Sequence, residues 1–320
     1  MVEDQRHVLP ELLLGKPEFL ECGTLSSWLP VWRATSSSYG RYGPYVAAIA
    51  AAFRADRLAW AFFSGYQGAL QAAFPELLAG AEPRIASLGA NESGRKLTEI
   101  DTALFVRNGV LRLKGRKSWV LSGIDDLELY VLARTADGPA RGPGSLVVAR
   151  VRRSAAGVEM SAPRPQAVVP ELAHCAVSFN DVPIDDGHPI PGDGYADHAK
   201  PFRLREDVFV TGSPLAFLLA QGHAAGWPTR WRQRCMAIVV ALGECAARSP
   251  SDSATELLTA GALSLGGEVI EQAETLMAQH ESIAFARWRR DKPILGLGKD
   301  ARRLRVQLAW ARSGWTESTA

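Results

Sequence analysis

The sequence predicts an α+β protein with an N-terminal helical domain, a central antiparallel β-barrel or sandwich domain, and a C-terminal helical bundle. Apolar residues recur at helical spacing before about residue 82 and after about residue 203. Between them lie short apolar runs separated by Gly, Pro and Asp, a pattern typical of a small all-β domain. We therefore expect domains at 1–82, 83–190 and 191–320.

The helical regions are predicted from their periodic apolar faces. Ala and large apolar residues dominate Val46–Phe74, and only one charged cluster, within 54–57, interrupts them. Pro75 marks the end of that stretch because proline disrupts a helix interior. Four further helices are predicted near the C-terminus, at Glu206–Gln221, Arg230–Arg248, Ser253–Gln279 and Ala301–Ala311.

The central region contains a strong hairpin signal. Asn108-Gly109 lies between the apolar runs 103–107 and 110–115, and the two-residue turn that joins such strands favours this pair because both positions need positive φ. The remaining strands are predicted at Ser118–Ser122, Leu129–Ala133, Ser145–Val151 and Ala176–Phe179.

Composition excludes several functional classes. A net charge of +2 on 320 residues gives no reason to expect nucleic acid or an anionic membrane as a partner. The longest apolar run is broken by charges, so no membrane span is expected, and the polar N-terminus lacks the core of a signal peptide. Four dispersed cysteines, with no Cys/His ligand pattern, predict reduced buried thiols, no metal site and a cytoplasmic location.

Four segments, taken in order, resemble the acyl-CoA dehydrogenase family. Ala86–Glu92 is similar to the family's A-x-L-C-x-T-E turn, and Leu113–Gly123 to its LNGxKxW(I/V)T signature. Ser178–Pro183 is similar to the family's closing strand, F-(D/N)-D-V-x-V/I-P, and Phe285–Asp291 to the ER-x-x-RD segment. The chain is identified as a short, divergent member on this resemblance, which extends from about Asp56 to about Trp310.

The resemblance implies an FAD cofactor and a set of residues that contact it. Trp119 would form the flat wall for the isoalloxazine ring, although an indole that fills the β core is the alternative. The other implied contacts are Asn91, Glu92, Val120 and Ser122.

The chain also departs from the family pattern. Leu121 replaces the family's ring-binding Thr, and the R-x-x-F-G element that holds the pyrophosphate is missing. Arg95 and Lys96 either meet a phosphate or form a solvated basic loop.

The resemblance also implies a carboxylate base. Gly298 or Lys299 stands where most members have their glutamate, and Asp300 is displaced by one residue. The segment around Glu206 is similar to the helix that supplies the base in isovaleryl-type members, so Glu206 is the predicted base. The alternative is a first-turn glutamate favoured by the helix dipole.

Three functions follow as hypotheses. The first is a flavin-dependent oxidoreductase that acts on a CH–CH bond of an acyl-CoA or an acyl-carrier thioester. The second is a flavin-dependent monooxygenase of the same fold, and the third is an inactive scaffold that binds an acyl chain or a partner protein. The resemblance also implies a homodimer or homotetramer.

The arginine-rich stretches 230–234, 287–290 and 302–305 are interpreted either as solvated helix faces or as phosphate-docking sites.

Overall fold

The computed structural model describes residues 5–93, 99–135, 145–279 and 282–314 and divides into two compact units. The helical unit contains the described residues up to Ala72, the short segment Ala167–Glu171 and the described residues from Leu204 onward. The strand unit contains Ala73–Gln166 and Leu172–Arg203 within the described ranges. The two terminal helical stretches that the sequence separates therefore belong to one unit.

Helices account for most of the helical unit. In chain order they are α1 (Gln5–Leu14), α2 (Leu25–Tyr39), α3 (Pro44–Phe53), α4 (Leu58–Ala73), α5 (Lys200–Ala224), α6 (Thr229–Ala246), α7 (Ser253–Ala278), α8 (Ile283–Asp291) and α9 (Lys299–Arg312). No helix among the described residues is long and apolar enough to cross a membrane.

The predicted helical stretch Val46–Phe74 is two helices, because charged residues separate α3 from α4. Arg57 Nη2 lies 2.7 Å from Asp56 Oδ2, and its Nη1 donates to Glu171 Oε1 at 3.1 Å. All three side chains are about nine-tenths buried. A buried ion must be paired to offset its lost hydration. The break between α3 and α4 places Arg57 where it can pair with Asp56 and Glu171.

A second cluster attaches the segment Ala167–Glu171 to α8. Arg290 Nη2 donates to both carboxylate oxygens of Glu171, at 2.8 and 2.9 Å, and the buried Asp291 accepts from the Val169 amide at 2.8 Å. The Arg-Asp pair of the ER-x-x-RD-like segment is therefore a structural clamp within the helical unit. This contact explains why five residues from the middle of the chain belong to that unit.

Glycine allows α4 to approach α5 closely. A Cβ at Gly65 would lie 2.6 Å from the Phe209 carbonyl oxygen, which is closer than real Cβ atoms come to backbone. Elsewhere in the helical unit, the buried Tyr45 hydroxyl donates to the Val239 carbonyl at 2.8 Å and ties α3 to α6. The core of this unit is therefore specified by shape as well as by apolar burial.

The strand unit is built on a seven-stranded sheet. Its strands are β1 (Ala86–Gly89), β2 (Ala103–Arg107), β3 (Val110–Leu121), β4 (Glu128–Thr135), β5 (Leu146–Arg152), β6 (Val158–Met160) and β7 (His174–Pro183). They are ordered β1-β4-β2-β3-β7-β6, and β5 pairs with the free side of β4. A π-helical segment, Gly194–Ala199, then leads into α5.

The α+β prediction is confirmed, but the sheet is mixed instead of purely antiparallel. β4 pairs in parallel with β1 and, at its other end, with β2. The sequence did not predict β1 or β6, whose four and three residues are too short to show a period. The missed β1 accounts for one of the two parallel pairings.

The predicted hairpin is confirmed. Arg107 pairs with Val110 across the turn, and Asn108 and Gly109 have φ of 53° and 75°. These are the left-handed conformations that an Asn-Gly turn of this type requires. The two runs predicted after the turn form one long strand, β3, which an irregularity divides where the candidate site begins.

Candidate functional site

A β-bulge on β3 turns Trp119 away from the core of the strand unit. Lys117 pairs with Val177 and Val120 pairs with Cys175, so three steps along β3 match two steps along β7. In a regular strand, residues 117 and 119 would point to the same face. The extra residue breaks that alternation, so Lys117 and Val120 are both buried while Trp119 is 56% exposed.

The backbone of Trp119 also has an unusual conformation. Its φ is 60°, in the left-handed region that costs a non-glycine residue roughly 1–2 kcal/mol. Such strain persists only where surrounding structure imposes it, and it concentrates at functional sites. The alternative that this indole fills the β core is therefore wrong. The indole is available to a ligand.

Two further side chains surround the indole. The Arg164 guanidinium lies 5.9 Å from its ring centroid, and the His174 imidazole meets it edge-on at 6.2 Å. Gln166 Nε2 lies 2.9 Å from His174 Nδ1 and fixes the orientation of the imidazole. Burial lowers the pKa of His174 and thereby favours the neutral form of the ring. No local pattern predicts that Arg164 and His174 contact Trp119, because both are distant from it along the chain.

The turn before the bulge is organised by Glu92. Its carboxylate accepts hydrogen bonds from Lys117 Nζ, from the Thr102 hydroxyl at 2.6 Å and from the Asp101 amide at 2.9 Å. Every one of these bonds lies within the strand unit, so the predicted contact residue Glu92 holds the turn in place. The neighbouring Asn91 is exposed, and its carbonyl accepts from the Ser118 amide at 2.9 Å.

The residues after Trp119 return to the interior. Val120 is fully buried, and the Leu121 amide donates to the Ser87 hydroxyl at 3.3 Å. The Ser122 hydroxyl donates to the Ala173 carbonyl at 3.0 Å. Its proton is thus already engaged, while the oxygen retains lone pairs that can accept a hydrogen bond.

The described residues meet part of what a flavin needs. The exposed indole is a flat apolar wall, and Asn91, whose backbone binds Ser118 next to Trp119, is exposed and has a side chain with both donor and acceptor groups. Arg95 and Lys96, the predicted phosphate partners, lie outside the described residues. The aromatic wall and the polar edge therefore fit a flavin ring.

Glu206, the predicted base, lies on α5 in the helical unit. α5 begins at Lys200 and follows the π-helical segment, so Glu206 is in the helix interior and not in its first turn. The helix therefore starts six residues earlier than predicted, and the dipole alternative does not apply because that effect falls off beyond the first turn. Glu206 is half-buried.

The neighbouring Asp207 is the centre of an ion cluster. Arg302 Nε donates to Asp207 Oδ1 at 2.8 Å, and Arg305 binds its other oxygen. Burial raises the pKa of Asp207, and the two arginines oppose that shift. Arg302 and Arg305 are therefore paired with Asp207. The interpretation of the stretch 302–305 as a solvated helix face does not hold for these two arginines.

The loop before α9 offers no buried carboxylate. Lys299 is exposed at the start of α9, and the Asp300 side chain is 95% exposed beside Arg303. Gly298, which precedes them, has a positive φ of 76°.

Within the described part of the chain, no group of three or more His, Cys, Asp or Glu residues is arranged to hold a metal ion. All four cysteines are buried and free, as their spacing predicts.

Comparison with known proteins identifies the fold. No protein-family model and no curated protein matches the sequence. The structure is nevertheless similar to butyryl-CoA dehydrogenase from Megasphaera elsdenii, with a TM-score of 0.68 and 12% identity over 98% of this chain and 99% of that chain. It is also similar to acyl-CoA dehydrogenase from Geobacillus kaustophilus, with a TM-score of 0.61 and 12% identity over 96% of each chain.

A third similar structure is PigA with FAD and proline, with a TM-score of 0.60 and 11% identity over 97% of this chain and 96% of that chain. The chain therefore has the acyl-CoA dehydrogenase fold, and the resemblance found in the sequence is confirmed at the level of the fold. A fold of this kind accommodates more than one chemistry, so the function must be argued from the residues.

Proposed function

We propose that this protein is an FAD-dependent oxidoreductase that acts on a CH–CH bond of an acyl thioester. The observation that carries the proposal is the exposed indole of Trp119, which a bulge holds outward in a strained conformation. The fold supports it, because the similar structures include two acyl-CoA dehydrogenases and one protein with bound FAD. The sequence motifs around Trp119 support it independently.

The proposed cofactor contacts divide into two groups. Trp119 would supply the flat wall for a bound isoalloxazine ring, and Asn91 and the Ser122 oxygen would supply hydrogen-bonding groups for its polar edge. Val120 and Glu92 act from the interior: Val120 anchors the strand beyond the bulge, and Glu92 fixes the turn that carries Asn91. Leu121 is not among the proposed contacts, because its amide already donates to the Ser87 hydroxyl and its side chain has no hydrogen-bonding group.

Glu206 is the proposed base. A bound flavin would accept a hydride from the β-carbon of the substrate, and Glu206 would take the proton from the α-carbon. A half-buried carboxylate inside a helix suits this role better than Asp300, whose side chain is almost fully exposed. Asp207 and its two arginines hold the adjoining backbone of α5 and thereby fix the position from which Glu206 projects.

The substrate, assembly and location are proposed on the same grounds. The substrate is an acyl-CoA or an acyl-carrier thioester, and the protein is a cytoplasmic homodimer or homotetramer. Light scattering tests the assembly directly, and a monomer at micromolar concentration would contradict it.

Flavin binding is the first test of the proposed function. The purified protein, supplied with FAD, is expected to show the visible absorption of a bound flavin. Trp119→Ala is expected to weaken FAD binding about tenfold or more, because aromatic stacking contributes roughly 1–3 kcal/mol. Tyr195→Ala is the matched control, since Tyr195 is another exposed aromatic residue of the strand unit and is 43% exposed. Retention of full FAD affinity in Trp119→Ala would refute the role of the indole.

Substrate tests then separate the functions. Anaerobic bleaching of the flavin by a panel of acyl-CoA thioesters is expected for the proposed dehydrogenase. A flavoprotein that no thioester bleaches, but that consumes oxygen with a reductant, would be a monooxygenase. A colourless protein that does not take up FAD would leave only the scaffold function.

A further inference from the structure

A second concave surface lies entirely within the helical unit. It is a groove of about 250 Å³ between α7 and α9, and Leu204 of α5 contributes to it. Its lining includes three arginines of α9, Arg302, Arg303 and Arg305, here called the guanidinium wall. The rest of the lining is apolar at Leu204, Ala260, Leu263 and Val306, here called the floor, and polar at Glu256, Thr259 and Ser264.

Two of the arginines are held in place by the protein. Arg302 donates through Nε to Asp207 at 2.8 Å and through Nη2 to the Leu297 carbonyl at 2.7 Å. Arg305 binds the second oxygen of Asp207. A guanidinium has five N–H donors, so both groups retain donors after these contacts. Their side chains are about one-fifth exposed, which makes those donors partly desolvated and accessible.

The charge around the groove favours an anion. Glu256 also lines it, but its carboxylate is engaged by Arg312 from the end of α9. Asp207 is shared between two arginines, and Asp300 is a solvent-exposed partner of Arg303. These four arginines thus outnumber the three carboxylates that they contact, and each of the three carboxylates is already paired. An incoming carboxylate or phosphate would therefore find guanidinium donors without displacing an internal bond.

The groove is separate from the proposed base. An α-helix turns about 100° per residue, so Asp207 lies about 60° from Leu204 around α5, whereas Glu206 lies about 160° from it. Leu204 and Asp207 belong to the face of α5 next to the groove, and Glu206 belongs to the opposite face. A ligand in the groove would consequently not occupy the position that Glu206 serves.

We propose that this groove binds a small organic anion with a short hydrocarbon body. The guanidinium wall would hold a carboxylate or phosphate through charge-assisted hydrogen bonds, and the apolar floor would bury the hydrocarbon. The volume suits a chain of a few carbons and excludes a whole coenzyme. The site is thus a second ligand site, additional to the proposed flavin and thioester chemistry.

Titration calorimetry on the full-length protein tests the proposal with three probes of equal chain length. Sodium hexanoate and monohexyl phosphate are expected to bind saturably and about tenfold or more tightly than 1-hexanol, because only the anions meet the guanidinium groups. Comparison of the two anions identifies which headgroup the site prefers. Equal binding of all three probes, or no saturable binding of either anion, would overturn the proposal.

Variants locate the binding. Arg303→Ala removes an exposed guanidinium and is expected to weaken anion binding severalfold without affecting the fold. Ala260→Phe fills the half-exposed floor and is expected to abolish binding of the hydrocarbon-bearing anions. Arg230→Ala, an exposed arginine on α6 outside the groove, is the matched control and is expected to have no effect. If Arg230→Ala weakens binding as much as Arg303→Ala does, the anions bind through general positive charge, and the groove is not their site. Flavin content does not enter these measurements, so they are independent of the proposed reaction.

Discussion

Lys117 Nζ lies 2.8 Å from Glu92 Oε1 in the strand unit, and the lysine side chain has no solvent exposure at all. Burial lowers the pKa of Lys117, and the bond to Glu92 opposes that shift. Burial alone would raise the pKa of Glu92, but the bonds from Lys117, Thr102 and the Asp101 amide outweigh it and lower the pKa to about 2. The ion pair joins the turn that carries Asn91 to the strand that carries Trp119, so it sets the geometry of the candidate site.

Removal of one partner of this ion pair should destabilise the protein strongly. We expect Lys117→Met to lower the free energy of unfolding by about 3–5 kcal/mol, because it leaves the Glu92 carboxylate buried without its cation. The double variant Lys117→Met/Glu92→Gln is expected to recover part of that loss. Urea unfolding followed by circular dichroism measures both. A single variant as stable as the native protein would show that the pair contributes nothing to the fold.

The same pair predicts a dependence of stability on pH. The folded pKa of Glu92 is depressed from 4.5 to about 2, so its stabilising contribution is fully present above pH 4.5 and is lost as pH falls toward 2. The Glu92→Gln variant should therefore lose less stability than the native protein over that interval. Unfolding free energies measured across the interval test this, and parallel curves for the two proteins would contradict the assignment.

A glycine in place of Trp119 should abolish FAD binding while it leaves the free energy of unfolding nearly unchanged. Trp119→Gly removes a side chain that is more than half exposed and permits the positive φ without steric cost. We expect its unfolding free energy to stay within about 1 kcal/mol of the native value, since relief of strain offsets the added freedom of the unfolded chain. FAD binding should be lost. A large destabilisation would instead mean that the indole serves the fold.

Glu206→Gln tests the proposed base. Loss of a general base typically slows a reaction by about 10²–10⁴-fold, so flavin bleaching by a bound acyl thioester should fall by that factor while FAD binding stays unchanged. Glu268→Gln on the exposed face of α7 is the control, because its carboxylate is open to solvent and pairs with Arg234. An unchanged bleaching rate in Glu206→Gln would remove Glu206 from the mechanism.

A pair of glycine variants tests the packing of α4 against α5. Gly65→Ala would place a Cβ 2.6 Å from the Phe209 carbonyl oxygen, and overpacking of this kind should cost about 1–3 kcal/mol. Gly267→Ala on α7 meets nothing within 4 Å and should stabilise the helix by about 0.5–1 kcal/mol. Thermal unfolding distinguishes the two, and a shift of the same sign for both would contradict the close contact.

The sequence by itself determined that a central β region lies between two helical regions, and it determined the hairpin at Asn108-Gly109 and the segments that resemble the acyl-CoA dehydrogenase family. These features depend on residues that are close together in the chain, whose periodicity and turn preferences act locally. Tertiary structure alone decided that Trp119 faces solvent, since the bulge exists only where β3 pairs with β7.

Local sequence patterns also do not predict which distant residues pair with each other. The Lys117–Glu92 bond spans 25 residues and the Arg57–Glu171 bond spans 114, and nothing in either neighbourhood specifies its partner. Local sequence likewise does not specify the parallel pairing of β1 with β4. Nor does it specify the groove between α7 and α9 that arginines line. Burial selects these partners, because a charge or a backbone group removed from water must find a complement wherever the folded chain brings one.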